Sequence, residues 1–145
     1  MIATLIIQFV VAMIATAAFA IIFIAPRSEW LTAAVIGAIG WIVYYILKDL
    51  NYSNMISCLI ATFILTLMSR ILSRIRKCPV TMYLLPGIFP LVPGAGIYYT
   101  SYYFIMNDPK QFWAKGLDTF QVAGAIALGI IFALALPRKL FTLFK

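Results

Sequence analysis

Histidine is missing from this chain altogether, cysteine appears only as Cys58 and Cys78, and aspartate and glutamate together supply four side chains in 145 residues. Without histidine, a close cysteine pair or clustered carboxylates, the usual sets for general acid–base, metal and nucleophilic chemistry are missing. No enzyme activity, no metal site and no cofactor is therefore expected. The spacing of the two cysteines suggests neither a disulfide framework nor metal ligation. Charge is scarce as well: 10% of the residues are charged and 65% are apolar, whereas soluble domains are roughly half apolar and a quarter charged. That composition excludes a soluble globular fold and identifies a membrane protein.

What is present is a succession of apolar runs. A helix needs about 20 mostly apolar residues to cross the hydrocarbon core, and five runs fall between the few charges, at 2–25, 30–47, 54–68 with some extension at either end, 81–106 and 119–136. The expected fold is an all-α integral membrane protein, a single transmembrane domain over 1–145 with five transmembrane helices. The first run has no preceding positive charge and is too long for a secretory signal, although Ala18-Phe19-Ala20 resembles a cleavage site. It is expected to stay as a mature helix.

The net charge of +7 reports topology rather than nucleic-acid binding, because cytoplasmic loops of membrane proteins are enriched in Lys and Arg. Five crossings put Arg27, Arg70, Arg74, Arg76, Lys77, Arg138, Lys139 and Lys145 on one side, and Lys48, Lys110 and Lys115 on the other. The bias predicts a multi-pass protein of the plasma membrane, in contact with the lipid bilayer, with its N-terminus outside and its C-terminus in the cytoplasm. The cluster Arg70, Arg74, Arg76 and Lys77 reads as an anchor of that topology. Arg70, near the end of the third run, is the one member able to turn inward to a substrate carboxylate or a partner's acid.

The loop between the last two runs carries cap signals. Asp108, Pro109 and Gln111 match a cap, a first-turn proline and a reciprocal capping partner, and Gly116 is placed to end a short interfacial helix. Asp118 and Gln121 repeat the cap pattern at the start of the fifth span. Small residues recur four apart at Ala12, Thr16 and Ala20, at Ala33 and Gly37, and at Ala125, Gly129 and Ala133. Such stripes let helix backbones approach closely, either within one bundle or against a second helix, which leaves a homo-oligomer open. Gln8, Thr16, Thr62 and Thr66 read as bonds between helices.

The fourth run departs from all this. YLLPGIFPLVPGAGIYY carries Pro86, Pro90, Pro93, Gly87, Gly94 and Gly96 within eleven positions. Three prolines inside one continuous helix would cost on the order of 9 kcal/mol if the terms added. Stopping and restarting the helix is cheaper, with the glycines relieving the backbone. The fourth helix is therefore expected to be discontinuous at this Pro/Gly-rich break. Irregular backbone at membrane depth must be buried in protein or line a wet cavity, and half-helix ends with unwound carbonyls are a recurring way to bind small ions and zwitterions. The substrate-path candidates are Pro86, Gly87, Pro90, Pro93, Gly94 and Gly96, with Tyr98 and Tyr99 close enough to add a hydroxyl.

LLPGIFPLVPGAGIYY, preceded by SRILSRIRKCP, resembles the C-terminal membrane module of the threonine/serine exporter family in its split, two-component form. The resemblance covers nearly the whole chain, and its sharpest part runs from Pro86 to Gly94. It implies export of small amino acids or related small carboxylates driven by an ion gradient, and a larger membrane subunit of the same family as partner. Residues carried over are Arg70, Pro79, Pro86, Gly87, Pro90, Pro93, Gly94 and Tyr98. Glu29, Asp49, Asp108 and Asp118 all fall at or beyond span ends, so the coupling carboxylate is expected in the partner. An assembly subunit or a passive channel component without direct substrate binding is the alternative.

Overall fold

A computed structural model describes residues 2–137, which form six α-helices and two 3₁₀ turns. They are α1 (Ile2–Ile22), a 3₁₀ turn (Arg27–Glu29), α2 (Trp30–Asp49), α3 (Asn54–Arg76), α4 (Thr81–Ile88), a second 3₁₀ turn (Phe89–Leu91), α5 (Gly94–Ile105) and α6 (Pro109–Ala135). Helices α1, α2, α3 and α6 are each long and apolar enough to cross a membrane, and α4 and α5 together, bent by 52° at their break, are long and apolar enough for a fifth, which gives four to five candidate spans. The protein is an all-α, multi-pass membrane protein.

The connections are short because the helix ends are built from one local device. Ile24, Asn51, Lys77 and Asn107 take left-handed backbone with φ of 57°, 62°, 53° and 57°. Each lets the next amide reach back to a carbonyl of the last turn: Ala25 to Ala20, Tyr52 to Leu47, Cys78 to Ser73 and Asp108 to Tyr103, at 2.9–3.1 Å. Tight closure makes consecutive helices antiparallel. Arg27 and the α3 end with Arg76 and Lys77 therefore share one end of the bundle, and Lys48, Lys110 and Lys115 lie toward the other. Arg138, Lys139 and Lys145 lie outside the described residues.

Packing follows the small-residue stripes. α1 lies along α2, where a Cβ on Gly37 would fall 2.2 Å from Thr16 Oγ1. α3 lies along α6, where a Cβ on Gly129 would fall 2.7 Å from the Leu59 backbone carbonyl, a gap that admits glycine alone. Leu65 of α3 fills the centre, packed against Gly40 of α2 and Gly87 of α4. Gln8 accepts a 2.8 Å hydrogen bond from Trp41 Nε1 across helices. Thr16, Thr62 and Thr66, expected to bond between helices, instead donate to the carbonyls of Ala12, Cys58 and Thr62 in their own helices. In a dry interior that satisfies the hydroxyl locally and leaves the methyl to pack.

The expected short interfacial helix is not a separate element. Asp108 caps as anticipated, accepting from the Gln111 amide at 3.1 Å, but the helix it starts runs unbroken for 27 residues to Ala135. Gly116 does not end it. A glycine inside a helix costs only about 1 kcal/mol, and here Gly116 packs on Thr100 of α5, 3.3 Å from where a Cβ would stand. Asp118, expected as a second cap, is therefore mid-helix.

Candidate functional site

The broken span has two unlike halves. α4 sits among α1, α2 and α3, with Tyr83, Leu84, Pro86 and Gly87 buried. α5 packs chiefly along α6, and none of its residues is buried. The backbone between them reads residue by residue. Pro90 is the second residue of the 3₁₀ turn, a first-turn position at which its missing N–H breaks no bond within that turn. Val92 is extended, and Pro93 at φ −75°, ψ 59° makes an inverse γ-turn closed by the Gly94 amide on the Val92 carbonyl at 2.7 Å. The first helical bond of α5 then runs from Ile97 N–H to the Pro93 carbonyl at 3.0 Å. The amides of Ala95 and Gly96, in the first turn of α5, have no helical carbonyl to meet.

A cavity of about 260 Å³ opens at this break. Its walls include Pro90, Pro93, Ala95 and Gly96 from the break, Tyr44 from α2, Asn54 and Cys58 from α3, and Asp118 and Thr119 from α6. Asp118 makes no hydrogen bond or ion pair among the described residues. The Thr119 hydroxyl donates to the Lys115 carbonyl at 2.7 Å. The lining thus combines an exposed carboxylate with the first turn of a helix at its positive end, groups complementary to a small molecule with charges of both signs. A second, more apolar hollow of about 440 Å³ lies between α5 and α6 beside Pro93, lined by Ile97, Thr100, Ser101 and Phe120 among others.

Of the residues expected on the substrate path, Pro90, Pro93 and Gly96 line the cavity. Gly94 opens α5 with no atom within 4 Å of a would-be Cβ. Pro86 and Gly87 belong to the buried half, with Gly87 against Leu65, and neither lines the cavity. Tyr98 and Tyr99 stand on the open face of α5, 64% and 47% exposed, in ring contact with each other and with Tyr102 and Tyr103. Arg70 donates to the Ala133 carbonyl and, at 3.1 Å, to the Leu136 carbonyl, closing the end of α6. Asn54, Asp118 and Thr119 went unrecognised as cavity residues. The cap-like spacing of Asp118 and Gln121 concealed the carboxylate.

A second polar cluster lies at the basic end. Glu29, only 9% exposed, accepts a 2.6 Å hydrogen bond on Oε2 from the hydroxyl of fully buried Tyr83. Its other oxygen, Oε1, lies 3.6 Å from Arg76 Nη1. Cys78 Sγ donates to the Tyr83 oxygen at 3.3 Å, and Ser73 Oγ donates to the Cys78 carbonyl at 2.6 Å. Glu29 does stand at a span end, but the α4 half of the broken span buries it. Among the described residues no group of three His, Cys, Asp or Glu side chains converges as a metal site would require.

The sequence matches the family model described as Threonine/Serine exporter, ThrE, over residues 8–136. No curated protein and no solved structure matches. The match spans most of the chain, from the first helix through the last, and includes the whole broken span. The chain belongs to the threonine/serine exporter family.

Proposed function

We propose that this member of the threonine/serine exporter family is the membrane subunit of a secondary exporter for small amino acids or related small carboxylates, working with a larger partner subunit. Residues 1–145 act as one transmembrane domain in the plasma membrane, N-terminus outside and C-terminus in the cytoplasm. The observation that carries the reading is the break itself: the discontinuous span opens onto a cavity lined by Asp118, Asn54 and the Ala95 and Gly96 backbone. In such a site the substrate carboxylate meets the first-turn amides and the ammonium meets Asp118 and Asn54. Substrate crosses by movement at the Val92–Pro93 joint, where no continuous helix has to be broken. Pro90, Pro93, Gly94 and Gly96 shape that joint, and Pro86 and Gly87 seat its fixed half. Arg70 holds the end of α6, and Tyr98 and Tyr99 serve an exposed face.

The test is export of labelled threonine and serine from cells carrying this chain, the larger partner, both, or neither. Saturable export with both and with neither alone supports the proposal; export by the larger subunit alone at the full rate removes it. The open face of α5 favours a second reading, an assembly subunit that steadies its partner without touching substrate. In that case Pro93→Ala changes the amount of partner in the membrane and leaves transport per assembled complex unchanged.

A further inference from the structure

We propose, building on the two-subunit reading above, that the α5–α6 hairpin is a docking arm whose groove receives an apolar helix of the larger partner subunit. The hairpin overhangs the rest of the bundle. α3 and α6 run side by side in the same direction, with Thr62 against Gly129 and Arg70 bonded to the carbonyls of Ala133 and Leu136. Eight residues before the first of those contacts α3 begins, at Asn54, and α6 has reached only Gln121. Residues 109–120 of α6 therefore have no α3 beside them, an overhang of ~18 Å along the helix. α5 lies along that overhang, with Gly96 against Thr119 and Thr100 against Gly116. α3, with its 23 residues, already covers the ~30 Å hydrocarbon core. Lys48, Asp49, Asn51 and Asn54 mark the level at which α2 and α3 leave that core, so the arm stands beyond the reach of the acyl chains.

The surface of the arm is nonetheless apolar. Phe104, Ile105, Trp113, Leu117 and Phe120 are each more than half exposed, and the last three follow one another at helical spacing on one stripe of α6. Large apolar groups standing together outside lipid mark an interaction site. Between the two helices lies the apolar hollow of about 440 Å³. Its hydroxyls are already satisfied: Thr100, Ser101 and Thr119 donate to the carbonyls of Gly96, Ile97 and Lys115 in their own helices. Among the described residues no charged side chain and no tyrosine lines it. A trough between two antiparallel helices, walled by carbon, is a seat for the apolar stripe of a third. Lys110 and Lys115, exposed on the arm, make no ion pair among the described residues. A second copy docked arm to arm would set these lysines against their equivalents, so the occupant is a different chain, with carboxylates flanking its apolar stripe.

The test uses membranes holding the full chain with and without the larger subunit. A photo-crosslinking benzoylphenylalanine is placed at Leu117 on the arm and, for comparison, at Ile14, exposed in the middle of α1. Irradiation is expected to join position 117 to the larger subunit. An adduct from position 14 and not from 117, an adduct of 117 with a second copy of this chain, or one with lipid alone while the larger subunit is present overturns the proposal. Co-purification gives a second readout. Trp113→Ala together with Phe120→Ala lowers the larger subunit retained per chain about tenfold, and Ile14→Ala leaves it unchanged. Trp113 and Phe120 stand clear of the bundle, so their removal leaves the fold intact. Equal retention by the arm variant and by Ile14→Ala overturns the proposal as well. Retention by the parent chain with no adduct from the arm removes the arm and leaves the two-subunit reading standing; no retention by the parent chain removes both.

Discussion

The two halves of the broken span come from one apolar run, yet the bundle treats them in opposite ways. α4 is held on three sides, buries Tyr83 completely and is tied to Glu29. α5 is held along α6 and offers Ile97, Tyr98, Phe104 and Ile105 outward, each more than half exposed. The difference has a physical origin in residue size and polarity. Gly87 lets Leu65 fill the centre against α4, while the α5 face carries a ladder of tyrosines too large and too polar-tipped for that seam. A buried half and an exposed half thus meet at a γ-turn whose position is set by packing as well as by the prolines, and the hinge proposed for export is placed at that joint.

The strongest test of that contrast removes one tyrosine from each half. Tyr83→Ala empties the centre of the fixed half and leaves Glu29 without its internal donor, so the loss of stability should be about 3–5 kcal/mol. Tyr98→Ala, on the open face, should change stability by less than about 0.5 kcal/mol. Detergent-denaturant titration in mixed micelles measures both. If the two losses are equal, the halves are not held differently and the hinge reading goes with them.

A smaller effect is expected at the helix end that Arg70 closes. Its guanidinium donates to the Ala133 and Leu136 carbonyls, which the last turn of α6 leaves without amide partners. Arg70→Gln should cost about 1–2 kcal/mol and speed amide exchange near the end of α6, with α5 unchanged. Faster exchange in α5 as well would mean that α5 and α6 move as one body, which erases the distinction between the two halves.

How far the sequence discloses this arrangement depends on which force decides each feature. The five apolar runs and the existence of a break were legible, because length, hydropathy and proline chemistry act locally. So was the place of the break within the Pro/Gly-rich stretch, but not the exact joint at Val92–Pro93. Summing three interior prolines misjudges the cost, since only Pro86 stands inside an α-helix: Pro90 is in the first turn of a 3₁₀ helix and Pro93 occupies a γ-turn. The place of Asp118 in the cavity wall was hidden because a cap and a mid-helix carboxylate share one local spacing, and α6 runs on through Gly116, which packs on Thr100. Glu29 was hidden for a similar reason. Its place at a span end is local, while its burial depends on Tyr83, which is far along the chain.

At the cavity itself the expected effect is on substrate rather than on fold. Asp118→Asn keeps the size of the side chain and removes the charge from the cavity that Asp118 lines together with Ala95 and Gly96. The apparent affinity for a zwitterionic amino acid should fall about tenfold, equivalent to about 1.4 kcal/mol, in counterflow with the assembled exporter. A dicarboxylate without an ammonium group should bind no worse, or better. If both ligands weaken equally, Asp118 shapes the cavity without reading charge.

The finest comparison sets two glycines of α5 against each other, two residues apart. A Cβ on Gly96 would stand 2.4 Å from Thr119 Oγ1, and that hydroxyl is already engaged with the Lys115 carbonyl. Gly96→Ala must therefore push α5 from α6 or break that bond, for a loss of about 1 kcal/mol. Gly94 meets nothing within 4 Å and its φ is not positive, so Gly94→Ala keeps every contact and reduces only the freedom of the unfolded chain. Its stability should rise by up to about 0.5 kcal/mol. Yet Gly94 is also the last residue of the γ-turn, where a methyl group restricts the backbone at the joint between α4 and α5. A more stable Gly94→Ala protein that exports more slowly would locate the motion at the joint between the halves; a more stable protein that exports at the parent rate would move it elsewhere.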